Sequence, residues 1–393
     1  MRYSYSSPSI TPDDIAEVLR VLNGTKLTQG EVVQELENKL SKKFNVEHAV
    51  VCNSGSAALH MAYHGIDLGP SAGLITSPVT FLSTANAARF CGAPVGFADV
   101  DPKTGNLSVD TIKIAVERAN FKVRAIAVVH LGGRPCDMPK IKDFADSIGA
   151  YVIEDACHAP MAKYSDEDGI LYSVGSCSHS HAASLSFHAI KHMTTGEGGV
   201  LLTNDYELAK RASRFRSHGM TRDSSIMKDQ DAAGAPWYYE MSELGYNYRL
   251  SDINCALCLN QVGRLDENLA RRRNIARIYH QYLKGSDMIR LPEISSRCGM
   301  THAWHLFSLA LDFDRIGKSR HQVMSELTGR GVGTQVHYIP LYRQPYYRNQ
   351  FVLENFEGAE IYYKNTLSIP MYFGLADDDV KFISENILST LVS

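Results

Sequence analysis

Short apolar runs alternate with helical stretches along the first half of this 393-residue chain. Helical stretches such as Ala57 to Gly65 and Met138 to Ser147 separate successive runs. This alternation predicts crossover connections and a mostly parallel sheet. The runs that we assign to strands are Ala49 to Cys52, Leu74 to Ser77, Val95 to Val100, Ala125 to His130, Tyr151 to Asp155, Ser184 to Phe187 and Val200 to Thr203.

The last of these runs breaks the pattern. It comes too soon after the run ending at Phe187 for a helical crossover, so we expect Val200 to Thr203 to lie antiparallel. From about Ser251 a long amphipathic helix leads into a second region. That region is predicted to contain a strand at His305 to Phe313, a helix at Lys318 to Gly331, a strand at Val332 to Tyr338 and a closing helix at Asp377 to Leu391.

Length and composition permit more than one domain. We expect a large domain over residues 1–250, with an N-terminal arm, and a smaller α+β domain over residues 251–393. Net charge is −3 and charges of both signs are spread along the chain, so no nucleic-acid or membrane partner is expected. The basic run Arg271-Arg272-Arg273 is interpreted as a solvated helix face.

The polar N-terminus lacks the apolar segment of a secretory signal, and no apolar run approaches the length of about 20 residues that crosses a bilayer. With eight scattered cysteines, this predicts a cytoplasmic protein with reduced thiols. Cys255 and Cys258 form a Cys-x-x-Cys inside a predicted helix with no second pair nearby. His179 and His181 lack a carboxylate or cysteine at a suitable separation, so no metal is expected.

A lysine stands just beyond one predicted strand. Lys191 follows Ser186 and Phe187, and the glycine-containing run Thr194-Thr195-Gly196-Glu197-Gly198-Gly199 comes next. A lysine amine held at a strand end, and desolvated enough to lose its proton, forms a Schiff base with an aldehyde. The alternative is an ordinary solvated loop lysine.

An acid ends another predicted strand. Asp155 closes Tyr151-Val152-Ile153-Glu154-Asp155, and ligands of parallel α/β sheets bind at the carboxyl ends of strands. A carboxylate beside a pyridine nitrogen keeps that nitrogen protonated and makes the ring an electron sink. The alternative is a helix cap.

Two further segments suit a flat, phosphorylated ligand. Asn53-Ser54-Gly55-Ser56 follows a strand and opens a helix, where free backbone N–H groups bind anions, although it is also ordinary turn chemistry. Phe81 follows a proline turn and is placed to stack on a planar ring. Its alternative is a core phenylalanine.

Together these segments resemble fold-type I pyridoxal-phosphate enzymes, and among them the DegT/DnrJ/EryC1/StrS sugar aminotransferases. The resemblance implies an α/β fold like that of aspartate aminotransferase, with a large, mostly parallel seven-stranded sheet domain. It implies that Lys191 holds pyridoxal 5'-phosphate, that Asp155 pairs with the ring nitrogen, and that Asn247 reaches the neighbouring subunit's phosphate in a homodimer with shared active sites. The other cofactor residues that it implies are Ser54, Gly55, Ser56, Phe81, His158 and Ser186.

Members of the family with histidine in place of the lysine act as sugar dehydratases, and a non-catalytic regulator would be expected to lose the lysine or the acid. Lys191 and Asp155 are both present here, which favours amino transfer. His192 follows the lysine directly and could perturb its surroundings.

The runs Phe215 to Met220, Glu243 to Asp252 and Gln335 to Tyr338 resemble one branch of the family, which acts in pseudaminic acid biosynthesis. It implies amino transfer, with glutamate as the expected donor, to C4 of a UDP-linked 4-keto-6-deoxy-N-acetylhexose. The product would be UDP-4-amino-4,6-dideoxy-N-acetyl-beta-L-altrosamine. A GDP-perosamine-type or bacillosamine-type enzyme is the alternative. The substrate residues that this branch implies are Tyr5, Lys26, Leu27, Thr28, Asn247, Gln335, Val336, His337 and Tyr338, and Arg216 and His218 could also face the diphosphate.

Overall fold

The computed structural model describes residues 2–229, 233–294, 299–349 and 355–392. The strands of the described residues are β1 (His48–Cys52), β2 (Ala72–Thr76), β3 (Val95–Phe97), β4 (Lys122–Val129), β5 (Tyr151–Asp155), β6 (Lys163–Ser165), β7 (Leu171–Ser173), β8 (Ala182–Ser186), β9 (Gly199–Thr203), β10 (Met220–Thr221), β11 (Glu240–Met241), β12 (Ile289–Arg290), β13 (Phe307–Leu311) and β14 (Thr366–Ile369). The helices are α1 (Pro12–Leu22), α2 (Glu31–Phe44), α3 (Gly55–Gly65), α4 (Ser83–Phe90), α5 (Val109–Arg118), α6 (Met138–Ser147), α7 (Tyr206–Arg216), α8 (Asp252–Gly263), α9 (Leu265–Leu283), α10 (Phe313–Ile316), α11 (Arg320–Gly329), α12 (Pro345–Arg348), α13 (Glu357–Asn365) and α14 (Asp377–Val392).

A seven-stranded sheet forms the centre of the larger core. Its order is β1-β9-β8-β5-β4-β2-β3, and only β9 runs against its neighbours. The predicted α/β fold, with its mostly parallel sheet and one antiparallel return strand, is confirmed. Since β1, β5 and β8 are parallel, their carboxyl ends meet at one edge of the sheet.

Helix α3 is the most enclosed helix beside this edge. Residues Ala57–Tyr63 are all buried, because α3 packs against β8 and β9 on one side and against α4 and α7 on others. A helix that is apolar on every side belongs in a core. Its N-terminus is thereby fixed next to the ends of β1 and β8.

A smaller core lies around a three-stranded antiparallel sheet of order β12-β13-β14. The predicted strand at Val332 to Tyr338 is wrong, because this stretch makes only two isolated bridges, Tyr3 with Val332 and Gln335 with Ser368. The third strand is β14, which sequence reasoning missed. The closing helix α14 agrees with its prediction.

The N-terminal arm joins the smaller core to the loop around Lys191. The backbone N–H of Tyr3 donates to Gly331 O, and the N–H of Met371 donates to Tyr5 O. Ser6 Oγ then donates to Ile190 O at 3.4 Å. Among the described residues, no helix has both the length and the apolar character needed to span a bilayer.

The interpretation of Arg271-Arg272-Arg273 as a solvated face is wrong for its middle residue. Arg272 on α9 is fully buried and donates to Asn268 Oδ1, Trp304 O and Met371 O. Burial lowers the pKa of this guanidinium to about 10. Arg272 therefore holds the loop before β13 against α9.

Replacing Arg272 by Ala is expected to lower the free energy of unfolding by about 2–4 kcal/mol, measured by urea denaturation. The substitution leaves a cavity, and it leaves the carbonyls of Trp304 and Met371 without this donor. We expect these losses to outweigh the free energy gained by no longer burying a charged guanidinium. Arg273→Ala, at an exposed neighbouring position, is the control and should change stability by less than about 0.5 kcal/mol. Equal effects of the two variants would contradict this account.

Candidate active site

The residues predicted to carry chemistry gather where β1, β5 and β8 end. Asp155 is the last residue of β5 and pairs with Ser184 of β8, while Ser186 ends β8. Ser54 follows β1 and begins α3. Lys191 lies in the short connection from β8 to β9, so all four residues share one edge of the sheet.

The start of α3, at Ser54 and Gly55, lies against Ser186 at the end of β8. We call these residues, with Ser56, the cradle. Ser54 Oγ accepts from the N–H of Ala57 at 3.1 Å, which fixes the first turn. A Cβ on Gly55 would lie 3.0 Å from Ser186 Cβ, and one on Gly199 would lie 2.6 Å from the Ser54 backbone. Glycine at both positions therefore lets the two segments approach. The first-turn N–H groups of a helix and adjacent hydroxyls suit an anion such as phosphate.

Asp155 is held from two sides. It is 7% exposed, its Oδ2 accepts from Thr84 Oγ1 at 2.6 Å, and its Oδ1 accepts from the N–H of Cys157 at 3.3 Å. Thr80 Oγ1 lies 3.0 Å from Thr84 Oγ1. The local bond to Cys157 is turn chemistry, whereas the bond from Thr84 of α4 orients the carboxylate from another element. Sequence reasoning missed Thr84, whose hydroxyl has no distinctive spacing.

Lys191 is not an ordinary solvated lysine. Its amine lies 3.5 Å from Nε2 of His305, a buried residue that comes just before β13. Burial lowers the pKa of the amine below its usual value of 10.5, although Cys157 and Asp155 oppose this shift. A lysine in these surroundings loses its proton more readily than one in water.

His158 lies behind the end of β5 with its ring fixed. Its Nδ1 accepts from the N–H of Gly132 at 3.3 Å, so Nε2 carries the proton and donates to Tyr338 Oη at 3.2 Å. Burial lowers the pKa of His158 well below 6.5, which keeps the ring neutral.

Phe81 is 56% exposed, so the alternative that it is a core residue is wrong. Its ring centroid lies 6.2 Å from that of Tyr338.

The residues predicted to bind substrate fall into two groups. His337 and Tyr338 adjoin His158, and the Tyr5 ring lies 5.6 Å from the His337 ring. Nδ1 of His337 is 2.9 Å from Ser368 Oγ, and burial lowers the pKa of His337 to about 3. The preceding Gln335 is exposed and Val336 half-buried.

The second group, residues 26–28 and Asn247, lies on the surface of the protein. Lys26, Leu27 and Thr28 are exposed, and Thr28 bridges Ser251. Asn247 is also exposed, and its backbone carbonyl accepts from Asn53 Nδ2 at 3.3 Å. Asn53 directly precedes Ser54, so this bond connects the Asn247 segment to the start of the cradle.

Arg216 and His218 lie at the end of α7, close to the Asn247 segment. Nη1 of Arg216 pairs with Glu37 at 2.7 Å and also donates to Val51 O at 2.7 Å. His218 donates its backbone N–H to Tyr246 O. The Arg216 guanidinium thus has a structural role in joining α7, α2 and β1.

Proteins of similar sequence fall in one family of aminotransferases. The sequence profile of the DegT/DnrJ/EryC1/StrS aminotransferase family matches residues 8–388. The chain is 36% identical to the spore coat polysaccharide biosynthesis protein SpsC of Bacillus subtilis, over 97% of this chain and 95% of that protein. It is 32% identical to a UDP-4-amino-4,6-dideoxy-N-acetyl-beta-L-altrosamine transaminase of Campylobacter jejuni, over 99% of this chain and 97% of the relative.

Solved structures give the same result. The fold superposes on Helicobacter pylori PseC, an aminotransferase involved in the biosynthesis of pseudoaminic acid, with a TM-score of 0.89 and 28% identity. That match covers 100% of this chain and 99% of the other. The aminotransferase TlmJ from Streptoalloteichus hindustanus matches with a TM-score of 0.87 and 27% identity, over 99% of this chain and 98% of that one.

The aminotransferases of the matched family depend on pyridoxal phosphate, so this is the cofactor of the chain. The residues present fit it, since the cradle at Gly55 suits its phosphate, Asp155 suits its ring nitrogen and Lys191 lies in the same site. The chain belongs to the DegT/DnrJ/EryC1/StrS aminotransferase family and is a sugar aminotransferase.

Proposed function

We propose that Lys191 holds the cofactor covalently and that Asp155 keeps its ring nitrogen protonated. The convergence of both residues at the carboxyl ends of adjacent strands is the observation that carries this assignment. The phosphate would be bound by the cradle and the ring would lie between two side chains. The residues proposed for these contacts are Ser54, Gly55, Ser56, Ser186, Phe81 and His158.

When bound, pyridoxal phosphate supplies an electron sink that stabilises the loss of a proton from the amino donor. Lys191 would move that proton, because an amine whose pKa is lowered gives up a proton, and takes it back, more readily than an ordinary solvated lysine. The bond from Thr84 would keep the Asp155 carboxylate oriented to accept a hydrogen bond from the protonated ring nitrogen. Neutral His158 would orient Tyr338 beside the site without adding charge.

The chain acts on a nucleotide sugar with an amino donor, and we propose the more specific reaction. It would move an amino group from L-glutamate to C4 of a UDP-linked 4-keto-6-deoxy-N-acetylhexose, giving UDP-4-amino-4,6-dideoxy-N-acetyl-beta-L-altrosamine for pseudaminic acid biosynthesis in the cytoplasm. The 32% identical Campylobacter transaminase and the Helicobacter structure support this choice. The substrate contacts proposed with it are Tyr5, Lys26, Leu27, Thr28, Asn247, Gln335, Val336, His337 and Tyr338.

A different nucleotide sugar is the second candidate, of the GDP-perosamine or bacillosamine type. The Bacillus relative is named for spore coat polysaccharide biosynthesis, and its 36% identity exceeds the 32% of the altrosamine transaminase, which supports keeping a second sugar as a candidate. Both candidates use the same cofactor residues and differ only in the sugar.

Incubating the enzyme with glutamate and a panel of UDP- and GDP-linked 4-keto sugars should give an aminated product from the UDP-linked 4-keto-6-deoxy-N-acetyl sugar of L configuration. Mass spectrometry and NMR of the product identify the sugar and the aminated carbon. Lys191→Ala should reduce turnover by about 10²-fold or more, whereas Lys381→Ala, at an exposed position on α14, should leave it unchanged. Amination of only GDP-linked sugars, or only of other UDP-linked 4-keto sugars, would overturn the sugar assignment, and full activity of Lys191→Ala would overturn the site assignment.

The bond from Thr84 to Asp155 yields a second prediction. Thr84→Val keeps the side-chain shape but removes the hydroxyl, so we expect about a 3- to 10-fold weaker affinity for pyridoxal phosphate in fluorescence titrations. Thr84→Ser retains the donor and should bind almost as the native chain does. Equal affinities for the valine and serine variants would show that Thr84 does not orient Asp155.

We also propose a homodimer in which Asn247 completes the partner's cofactor site. The segment that precedes this residue in the chain carries exposed apolar side chains, with Trp237 77%, Leu244 75% and Met241 63% exposed. Several large apolar side chains exposed together are typical of an interface. The exposed position of Lys26, Leu27 and Thr28 supports the same contact across the dimer.

Mixed dimers test this arrangement. Lys191→Ala and Asn247→Asp chains are each expected to be inactive, the second because a negative charge repels the phosphate. Exchanging their subunits should restore activity at one of the two sites in each hybrid. As a control, hybrids of Lys191→Ala with Asp155→Asn should stay inactive, because those residues belong to the same subunit's site. No recovery in verified hybrids of the first pair would contradict a shared site.

A further inference from the structure

His305 is buried against the amine of Lys191, and sequence reasoning gave it no role. It is 3% exposed, and its Nε2 lies 3.5 Å from Lys191 Nζ. Among the described residues, no other hydrogen-bond partner of Nζ is found. The other ring nitrogen of His305, Nδ1, is buried and makes no hydrogen bond within the described part of the chain.

The backbone that carries His305 is strained and firmly held. Trp304, the residue before it, has a φ of +50°, a region that bulky side chains rarely adopt. Trp304 donates its N–H to His302 Nδ1 at 2.8 Å and stacks on the His302 ring, with centroids 3.9 Å apart. Its carbonyl accepts from Arg272 at 2.9 Å. Strain maintained in this way is characteristic of functional sites.

The same segment is fixed to the lysine loop and to the loop after β4. His192 Nε2 donates to Ala303 O at 2.9 Å, and the N–H of Ala303 donates to Gly133 O. The N–H of Leu306 donates to Gly132 O. The segment therefore cannot turn His305 away from Lys191 without breaking bonds to both loops.

The surroundings of His305 oppose a positive charge on its ring. The nearest rings are His158, with centroids 4.3 Å away, and His192, at 5.6 Å. The charged groups facing it are Lys191 and Arg272. Burial first, and then these neighbours, lower the pKa of His305 well below 6.5, so the imidazole is neutral and has one N–H.

The unpaired Nδ1 indicates which nitrogen carries that proton. A buried N–H without an acceptor is rarer and more costly than a buried lone pair without a donor. The tautomer with the proton on Nε2 avoids the orphaned N–H and directs a donor at Lys191. Such a donor bonds only to the unprotonated amine, because an ammonium group has no lone pair to accept it.

We propose that His305 is a positioning residue whose Nε2–H donates a hydrogen bond to the unprotonated amine of Lys191 whenever that amine is not bonded to the cofactor. His305 thus keeps the free amine neutral and within reach of the site. The proposal rests on the proposed role of Lys191 as the cofactor lysine. It does not depend on which sugar is the substrate.

The test compares two amide side chains in the full-length chain without cofactor. His305→Gln places its amide N–H₂ near the original position of Nε2, whereas His305→Asn carries the same amide one methylene short of Lys191. The readout is the rate at which acetic anhydride labels Lys191 as a function of pH, followed by peptide mass spectrometry. This rate gives the pKa of the Lys191 amine without any turnover.

The groups that set this pKa are Asp155 and Cys157 from the end of β5, Arg272 from α9, and the neutral rings around the amine. The Asn variant should raise the labelling pKa by about 0.5–1 pH unit, because the bond that favours the neutral amine is lost. The Gln variant should remain near the native value. His280→Leu, which removes a half-buried histidine bonded to Pro292 O, should have no effect.

A labelling pKa that is unchanged or lower in His305→Asn would overturn the proposal, as would equal shifts in Asn and Gln. If neither variant folds, ¹⁵N NMR of the histidines in the native chain decides the question directly. A protonated Nε2 and an unprotonated Nδ1 for His305 support the proposal, and the reverse pattern rejects it. Labelling is independent of the reaction, so an incorrect sugar assignment would not affect either result.

Discussion

The parallel pairing of β5 with β8 is the constraint on which the site depends. It sets Asp155 opposite Ser184, and the N–H of Ala156 continues the ladder to Ser184 O. The chain then turns back through residues 187–198 into antiparallel β9. The N–H of Phe187 donates to Gly198 O and the N–H of Thr195 donates to Phe187 O, so these bonds close the loop. Lys191 lies within this closed loop, so its amine stays near Asp155. The placement of Lys191 and Asp155 therefore depends on backbone pairing more than on side-chain packing.

Segments distant in sequence complete the site around that pair. The N-terminal arm reaches the lysine loop through Ser6, and the strained turn at Trp304 brings His305 from the smaller core. Arg272 ties this turn to α9. The two cores are thus linked through the surroundings of one amine, where His158, His305 and Arg272 are buried. Each is hydrogen-bonded or held neutral, as burial requires.

Much of the fold and part of the site followed from local patterns. The strand ending at Asp155 and the helix Met138–Ser147 have the predicted bounds, because apolar runs and turn residues mark them. Thr84, His305 and the burial of Arg272 did not follow, since each depends on contacts across more than 30 positions. The strand expected at Val332 to Tyr338 was displaced by Thr366–Ile369, which pairs with β13. Tertiary pairing, rather than local β-propensity, decided that case. The boundary at residue 250 and the individual roles of the site residues stay predictions.

All the proposed roles at this site depend on the attachment of pyridoxal phosphate to the amine of Lys191. Reduction of the native enzyme with borohydride makes a cofactor–lysine bond permanent, and peptide mass spectrometry then locates it. The account predicts one modified site, Lys191, in the peptide that contains Ser186 and Phe187. A stable adduct at any other lysine, or none in enzyme that carries out amino transfer, would contradict it.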